Sequence, residues 1–119
     1  MCGIAGIFGD LATEGRPQCV ERLKAMARML QHRGPDGFGY YHDARVGLAH
    51  SRLSIIDIEG GGQPIHNEDR SVWISYNGEI FNYRELRAQL EAKGHRFYTA
   101  TDTEVIVHAY EEYGHCLVY

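Results

Sequence analysis

Apolar residues in this chain come in short, well-punctuated blocks, and the spacing inside each block assigns its element. Ile4 to Phe8 is an apolar run interrupted by Gly3, Gly6 and Gly9, the pattern of a buried strand under close packing. The segment from Leu11 to Pro17 holds Gly15 and Pro17 and reads as a loop. Val20, Leu23, Met26, Ala27 and Leu30 then recur at helical spacing, with Glu21, Arg22, Lys24 and Arg28 on the other face. This amphipathic helix ends at the Arg33-Gly34-Pro35-Asp36-Gly37 loop. Strand material follows at Phe38 to Tyr41, Val46 to Ala49 and Leu53 to Ile58. Beyond the Gly60-Gly61-Gly62-Gln63-Pro64 loop, Val72 to Tyr76 predicts another strand, landing on Asn77-Gly78, the strongest turn signal in the chain. Asn82 is placed to cap a helix from about Tyr83 to Lys93, with Gly94 as its stop. His95 to Ala100 reads as extended, and Thr101 opens a second helix with Glu104 at the capping-box position and Gly114 near its end.

Strands outnumber helices and do not alternate with them one for one, which predicts an α+β fold with helices on a largely antiparallel sheet. The 119 residues fit one domain. With 44% hydrophobic and 11% aromatic residues the chain is no disordered tail. Lys and Arg number 12 against 16 acidic residues, a formal charge of −4 that leaves no footprint for nucleic acid or anionic lipid. The apolar runs are far too short to span a membrane and the first residues carry no signal-peptide pattern, so a cytoplasmic location is expected. The three cysteines, at positions 2, 19 and 116, are odd in number and lack C-x-x-C spacing, which argues against a disulfide scaffold and a structural zinc site. The seven histidines show no ligand spacing, so no metal is expected, and Gly60 to Gly62 lacks the Lys-Ser/Thr of a phosphate loop.

Four places go beyond scaffold. Cys2 is either a small residue opening a buried strand or, once Met1 is removed, a terminal nucleophile carrying its own base. The ordinary pKa values of a thiol and an α-amine lie under about one unit apart, so proton transfer between them costs only about 1 kcal/mol. His32 to Gly37 reads as a Pro-Asp-Gly turn after a helix. Arg52 sits in the stretch from Ala49 to Asp57, otherwise largely apolar, and must meet a carboxylate there, from the protein or from a ligand. Asn77-Gly78 is a hairpin turn or, as a side-chain amide beside a flexible N–H, an oxyanion hole. Asp102 by default is a carboxylate at a helix start. Cys19 and Cys116 read as ordinary packing or surface thiols.

Met1-Cys2-Gly3-Ile4, Arg33-Gly34-Pro35-Asp36, Arg52-Leu53-Ser54-Ile55-Ile56-Asp57, Gln63-Pro64, Asn77-Gly78-Glu79-Ile80 and Asp102-Thr103-Glu104 together resemble one family in order and spacing. It is the class II, N-terminal-nucleophile glutamine amidotransferase domain, and the likeness is greatest to the glutaminase domain that opens glutamine-hydrolysing asparagine synthetases. The resemblance covers residues 1–119 and implies an αββα sandwich of two antiparallel sheets between helical layers. It implies that Cys2 attacks the side-chain amide of L-glutamine, that Asn77 and the Gly78 N–H form the oxyanion hole, and that a thioester forms as ammonia leaves. Arg52 would clamp the substrate α-carboxylate and Asp102 its α-amino group. Leu53, Ser54, Ile55, Ile56 and Glu79 would line the pocket with Asn77 and Gly78. Further strands and an ATP- and magnesium-using synthetase domain that accepts the ammonia are expected outside this segment, which itself carries no cofactor. L-Glutamine and that domain are the expected partners, with a homo-oligomer compatible and no nucleic acid or membrane. Two rivals stand beside this expectation: a glutaminase serving a sugar, phosphoribosyl or surface-polysaccharide acceptor, and a truncated binding module without turnover.

Overall fold

The computed structural model describes residues 1–12, 15–53 and 62–118. The described residues form two compact units, one of residues 1–53, 62–64 and 75–77, the other of 65–74 and 78–118.

The first unit is one sheet covered by one helix. Strands β1 (Gly3–Phe8), β2 (Gly37–His42) and β3 (Val46–Arg52) pair antiparallel in the order β1-β3-β2. The register sets Gly3 opposite Ser51 and Phe8 opposite Val46, and on the other side Gly37 opposite Arg52. Asp43 turns β2 into β3: its Oδ1 accepts the N–H groups of Arg45 (2.7 Å) and Val46 (2.8 Å), and Tyr41 donates to its Oδ2. Helix α1 (Arg16–Met29) starts earlier than the apolar periodicity alone indicates, because Pro17 in the first turn lacks only an N–H that has no helical partner there. Cys19, Leu23 and Ala27, each a helical turn apart, bury against Ala49, Ala5 and Ile7 of the sheet.

Backbone contact fastens the loop after α1 to the end of β3. Ser51 Oγ donates to the Gly34 carbonyl at 2.7 Å, and the Asp36 N–H donates to the Arg52 carbonyl at 2.9 Å. A Cβ at Gly34 would lie 2.1 Å from the Ser51 carbonyl oxygen, so only glycine allows this approach. Gly39 plays the same part for Gln63, whose carbonyl oxygen would be 1.6 Å from a Cβ there.

In the second unit a short antiparallel pair, β4 (Ile65–His66) and β5 (Trp73–Ile74), accompanies helices α2 (Tyr83–Ala92) and α3 (Glu104–Tyr113) and a 3-10 turn at Gly114–Val118. Leu90, Val105 and Ala109 are its buried centre, with Leu86, Phe97 and Leu117 packed on them. Among the described residues no helix is long and apolar enough to cross a membrane.

The α+β class with antiparallel sheets stands as expected. Local expectations shift in three places. Asn77-Gly78 closes no hairpin, since β5 ends at Ile74 and the chain runs through Asn77-Gly78 toward α2. The side chain of Asn82 makes no capping bond; its carbonyl takes the Glu85 and Leu86 N–H groups instead. Glu104 leaves the expected capping box with Thr101, because a fully buried carboxylate requires donors and the Tyr98 and Thr99 amides supply them at 2.8 and 2.7 Å. Helix α3 therefore begins at Glu104. The strand expected from Leu53 to Ile58 lies, beyond Leu53, outside the described residues.

Gly34→Ala should destabilise the fold by about 3 kcal/mol or more, because the obstacle is backbone rather than a movable side chain. Gly37→Ala, where a Cβ meets nothing within 4 Å, should stay within about 0.5 kcal/mol of the parent. Urea midpoints at constant m-value measure both.

Candidate active site

Because Gly3 pairs with Ser51, the residue ahead of β1 meets the residues that leave β3. Cys2 is accordingly half-buried with its Sγ against Leu53, which donates its N–H to the sulfur at 3.3 Å, while the thiol faces the Leu53 carbonyl at 3.6 Å. Arg33 Nε donates to the Cys2 carbonyl at 3.3 Å, so the loop after α1 holds the cysteine from the other side. Met1 stands ahead of it, 73% exposed.

Arg52 ends β3, half-buried, and lines a cleft of about 350 Å³ with Asp36, Phe38, Tyr40, Gln63 and Pro64. That is the small end of the range for ligand pockets. Gln63 also ties down the approach to Asn77, its Oε1 accepting the Tyr76 N–H at 2.6 Å. Cys2, Arg52, Leu53 and Asn77 thus belong to the first unit.

Gly78, Glu79 and Asp102 belong to the second. Asp102 is buried, and its Oδ2 accepts the Ile80 N–H at 2.7 Å, while Thr103 Oγ1 lies 3.4 Å from Oδ1. The carboxylate therefore anchors the Gly78–Ile80 segment to the start of α3. Ser54, Ile55 and Ile56, expected as pocket lining, lie outside the described residues.

Two features were not expected from the chain. His50, on β3 two residues before Arg52, is 1% exposed; its Nδ1 meets Ser75 Oγ at 2.9 Å and its Nε2 has no partner among the described residues. Burial, helped by the Arg52 charge, pushes its pKa down to about 4, so the ring is neutral near pH 7 and adds no second positive charge beside Arg52. The strand read from the sequence stops at Ala49, whereas β3 runs on to Arg52 and carries His50 into the interior. In the second unit, Glu68, His95, His108 and Glu111 converge although they are scattered in sequence. His108 is fully buried; burial opposes its protonation, but hydrogen bonding to Glu104 and Glu111 and the Glu68 charge outweigh that and raise its pKa. Cys19 is core packing and Cys116 is exposed, both as expected.

The cysteine at the head of β1 is held by Arg33 and Leu53, and the cleft lined by Arg52 lies in the same unit. The model of the glutamine amidotransferase domain matches residues 1–119, and the chain belongs to that family. It is 50% identical over 113 residues to asparagine synthetase [glutamine-hydrolyzing] 1 of Bacillus subtilis (strain 168), covering 95% of this chain and 18% of that protein. Asparagine synthetase [glutamine-hydrolyzing] 2 of Oryza sativa subsp. japonica is 47% identical over 116 residues, 96% of this chain and 19% of its own length. Asparagine synthetase [glutamine-hydrolyzing] 1 of Arabidopsis thaliana is 46% identical over 114 residues, again 96% and 19%. The chain thus spans about a fifth of the length of these curated relatives.

The buried His50 gives a signed pH dependence. Its folded pKa of about 4 lies below the ordinary 6.5, so the unfolded chain takes up the proton first and stability is lost as pH falls from 6.5 toward 4. At pH 5 this group alone should lower stability by about 2 kcal/mol relative to pH 7. Urea unfolding of the parent and of His50→Gln at both pH values should show the difference shrinking by about that amount in the variant.

Proposed function

We propose that this chain hydrolyses the side-chain amide of L-glutamine through Cys2, as the ammonia-producing half of an enzyme that makes asparagine. The observation that supports this most directly is the Cys2 sulfur held by the Leu53 N–H, one residue from the arginine that lines the cleft. Glutamine presents opposite charges at one end and the reacting amide at the other. Arg52 takes the α-carboxylate through paired N–H donors, a fit that a lysine point charge does not reproduce. Asp102, by the motif match, takes the α-amino group.

In the reaction, with Met1 removed, the free amine of Cys2 accepts the thiol proton and the sulfur attacks the amide carbon. The oxygen of the tetrahedral intermediate takes hydrogen bonds from the Asn77 side chain and the Gly78 N–H. The C–N bond breaks, the amine returns a proton to the departing nitrogen, and ammonia leaves a γ-glutamyl thioester. Water, deprotonated by the same amine, attacks the thioester, and the C–S bond breaks to give glutamate and the restored thiol. Asparagine, one methylene shorter, would leave its amide short of the sulfur when its charged end is clamped, so it is a poor substrate. In this reading the ammonia passes to an activated aspartate carboxyl in a synthetase half, and the names of the relatives, which join asparagine synthesis to glutamine hydrolysis, support it. Amide-labelled glutamine fed to the protein tests this: label in asparagine supports the reading, and label in an amino sugar overturns the acceptor.

Glutamate release is the assay for the site. The full chain beginning at Cys2 should turn over, whereas an acetylated Cys2 should lose about 10²–10⁴ in rate with an unchanged circular dichroism spectrum. Full activity in the verified acetylated enzyme would assign the base elsewhere. Arg52→Lys should raise KM for glutamine by roughly 10- to 100-fold, the loss of a charge-assisted paired bond. A wild-type KM in this variant would make Arg52 structural.

A further inference from the structure

We infer that Glu68, His95, His108 and Glu111 form a four-coordinate site for a zinc-class divalent cation, separate from glutamine hydrolysis. All four residues belong to the second unit: Glu68 follows β4, His95 follows α2, and His108 and Glu111 lie one turn apart on α3. One donor atom from each falls within 4.8 Å of the others. The separations between the rings and the acids are tighter still. His108 Nδ1 is 3.2 Å from Glu111 Oε2 and 3.4 Å from Glu68 Oε2, and His95 Nδ1 is 3.5 Å from both Glu68 Oε1 and Glu111 Oε2. Zinc bonds of roughly 2.0–2.2 Å to nitrogen and oxygen in a tetrahedron place neighbouring ligands about 3.3–3.5 Å apart. The four ring-to-acid separations match this, with Glu68 turning Oε2 to His108 and Oε1 to His95, and one oxygen of each acid with the two Nδ1 atoms lies within 4.8 Å.

The surroundings orient the donors. Each imidazole turns Nδ1 into the cluster and Nε2 toward a further carboxylate, His95 to Glu112 Oε1 at 2.9 Å and His108 to Glu104 Oε1 at 3.4 Å. A ring that donates its outer N–H to an acid keeps its inner nitrogen as a lone-pair donor, the arrangement that accompanies metal-bound histidine. The inner carboxylates are fixed as well: Glu111 Oε1 accepts from Asn67 Nδ2 at 2.8 Å, and Glu68 Oε1 from the Arg96 N–H at 2.7 Å. Four carboxylates surround two imidazoles, and Lys93 reaches Glu112 and Tyr113. A divalent cation bound to two neutral imidazoles offsets two of these negative charges. His108 and Glu104 are buried while Glu68 and Glu111 are exposed, which gives a closed floor and an open edge for entry. With four protein ligands the site is structural, tying the turn after β4, the segment after α2 and helix α3 together.

The test uses the full chain, stripped with a chelator and titrated with zinc alone, then with cobalt(II) as a spectroscopic probe. One zinc per chain, a thermal midpoint that rises with zinc, and the intense visible bands of four-coordinate cobalt are expected. His95→Gln and Glu111→Gln should each weaken zinc binding by about 100-fold or more, whereas His32→Gln, outside the cluster, should bind as the parent does. Absence of stoichiometric zinc binding, a six-coordinate cobalt spectrum, or affinity retained in both cluster variants would overturn the site and leave a proton-only cluster. The zinc-dependent midpoint of the unsubstituted chain decides the matter even where a variant fails to fold.

Discussion

The antiparallel register of β1 on β3 governs the first unit. With Gly3 opposite Ser51, the chain ahead of β1 must run beside the residues leaving β3, and Cys2 is thereby delivered to Leu53 and the neighbourhood of Arg52. A slip of one residue would turn every side chain of β1 to the other face and take the sulfur from its donor. The backbone contact of Gly34 with Ser51 fixes the same strand end from the other side, which is why the loop after α1 needs glycine. Ladder pairing begins at Gly3, so removal of the exposed Met1 breaks none of it and leaves a free amine on a residue that is already positioned.

The two units bury imidazole in opposite ways. His50 lies on a strand among small and apolar neighbours beside an arginine, and the cheapest state of that ring is neutral. His108 is buried as deeply but lies among Glu68, Glu104 and Glu111, and there positive charge is favoured on or beside the ring. Burial opposes the proton on both rings, and the carboxylates around His108 reverse it there. Beside Arg52, a neutral His50 adds no second positive charge.

Much of this was legible in the chain, and what was not has a common cause. The apolar spacing of α1, the short strands and the Gly94 stop are local signals, and the structure carries them. Asp43 and Pro17 act through their own backbone neighbours, so their effects also stay within reach of sequence. Asn77-Gly78 misled as a hairpin because turn chemistry is shared by any tight bend, and the chain's direction afterwards depends on Gln63 and Asp102 far away. Glu104 misled as a capping residue because burial, which spacing does not report, made the Tyr98 and Thr99 amides its donors. The candidate site was readable only as several weak motifs in register, since the residues around Cys2 are brought in from positions 33 and 53.

The same limit hid the histidine cluster. His95 and His108 are separated by the segment that leads into α3, and Glu68 arrives from the turn after β4, so no ligand spacing exists along the chain. What assembles them is Asn67, fully buried: its Oδ1 takes the Val72 N–H and its Nδ2 reaches both Ser71 and Glu111, closing the β4–β5 turn and anchoring it to α3 in one side chain. An amide that satisfies the turn and the helix together places Glu68 opposite the α3 face that carries His108 and Glu111. A sequence pattern built on helical or strand periods has no means of registering such a contact, because its two ends lie in elements with different periods. The candidate site around Cys2 and the cluster thus share one logic of construction, in which a short polar residue, Ser51 or Asn67, ties distant segments together and the charged groups beside it follow.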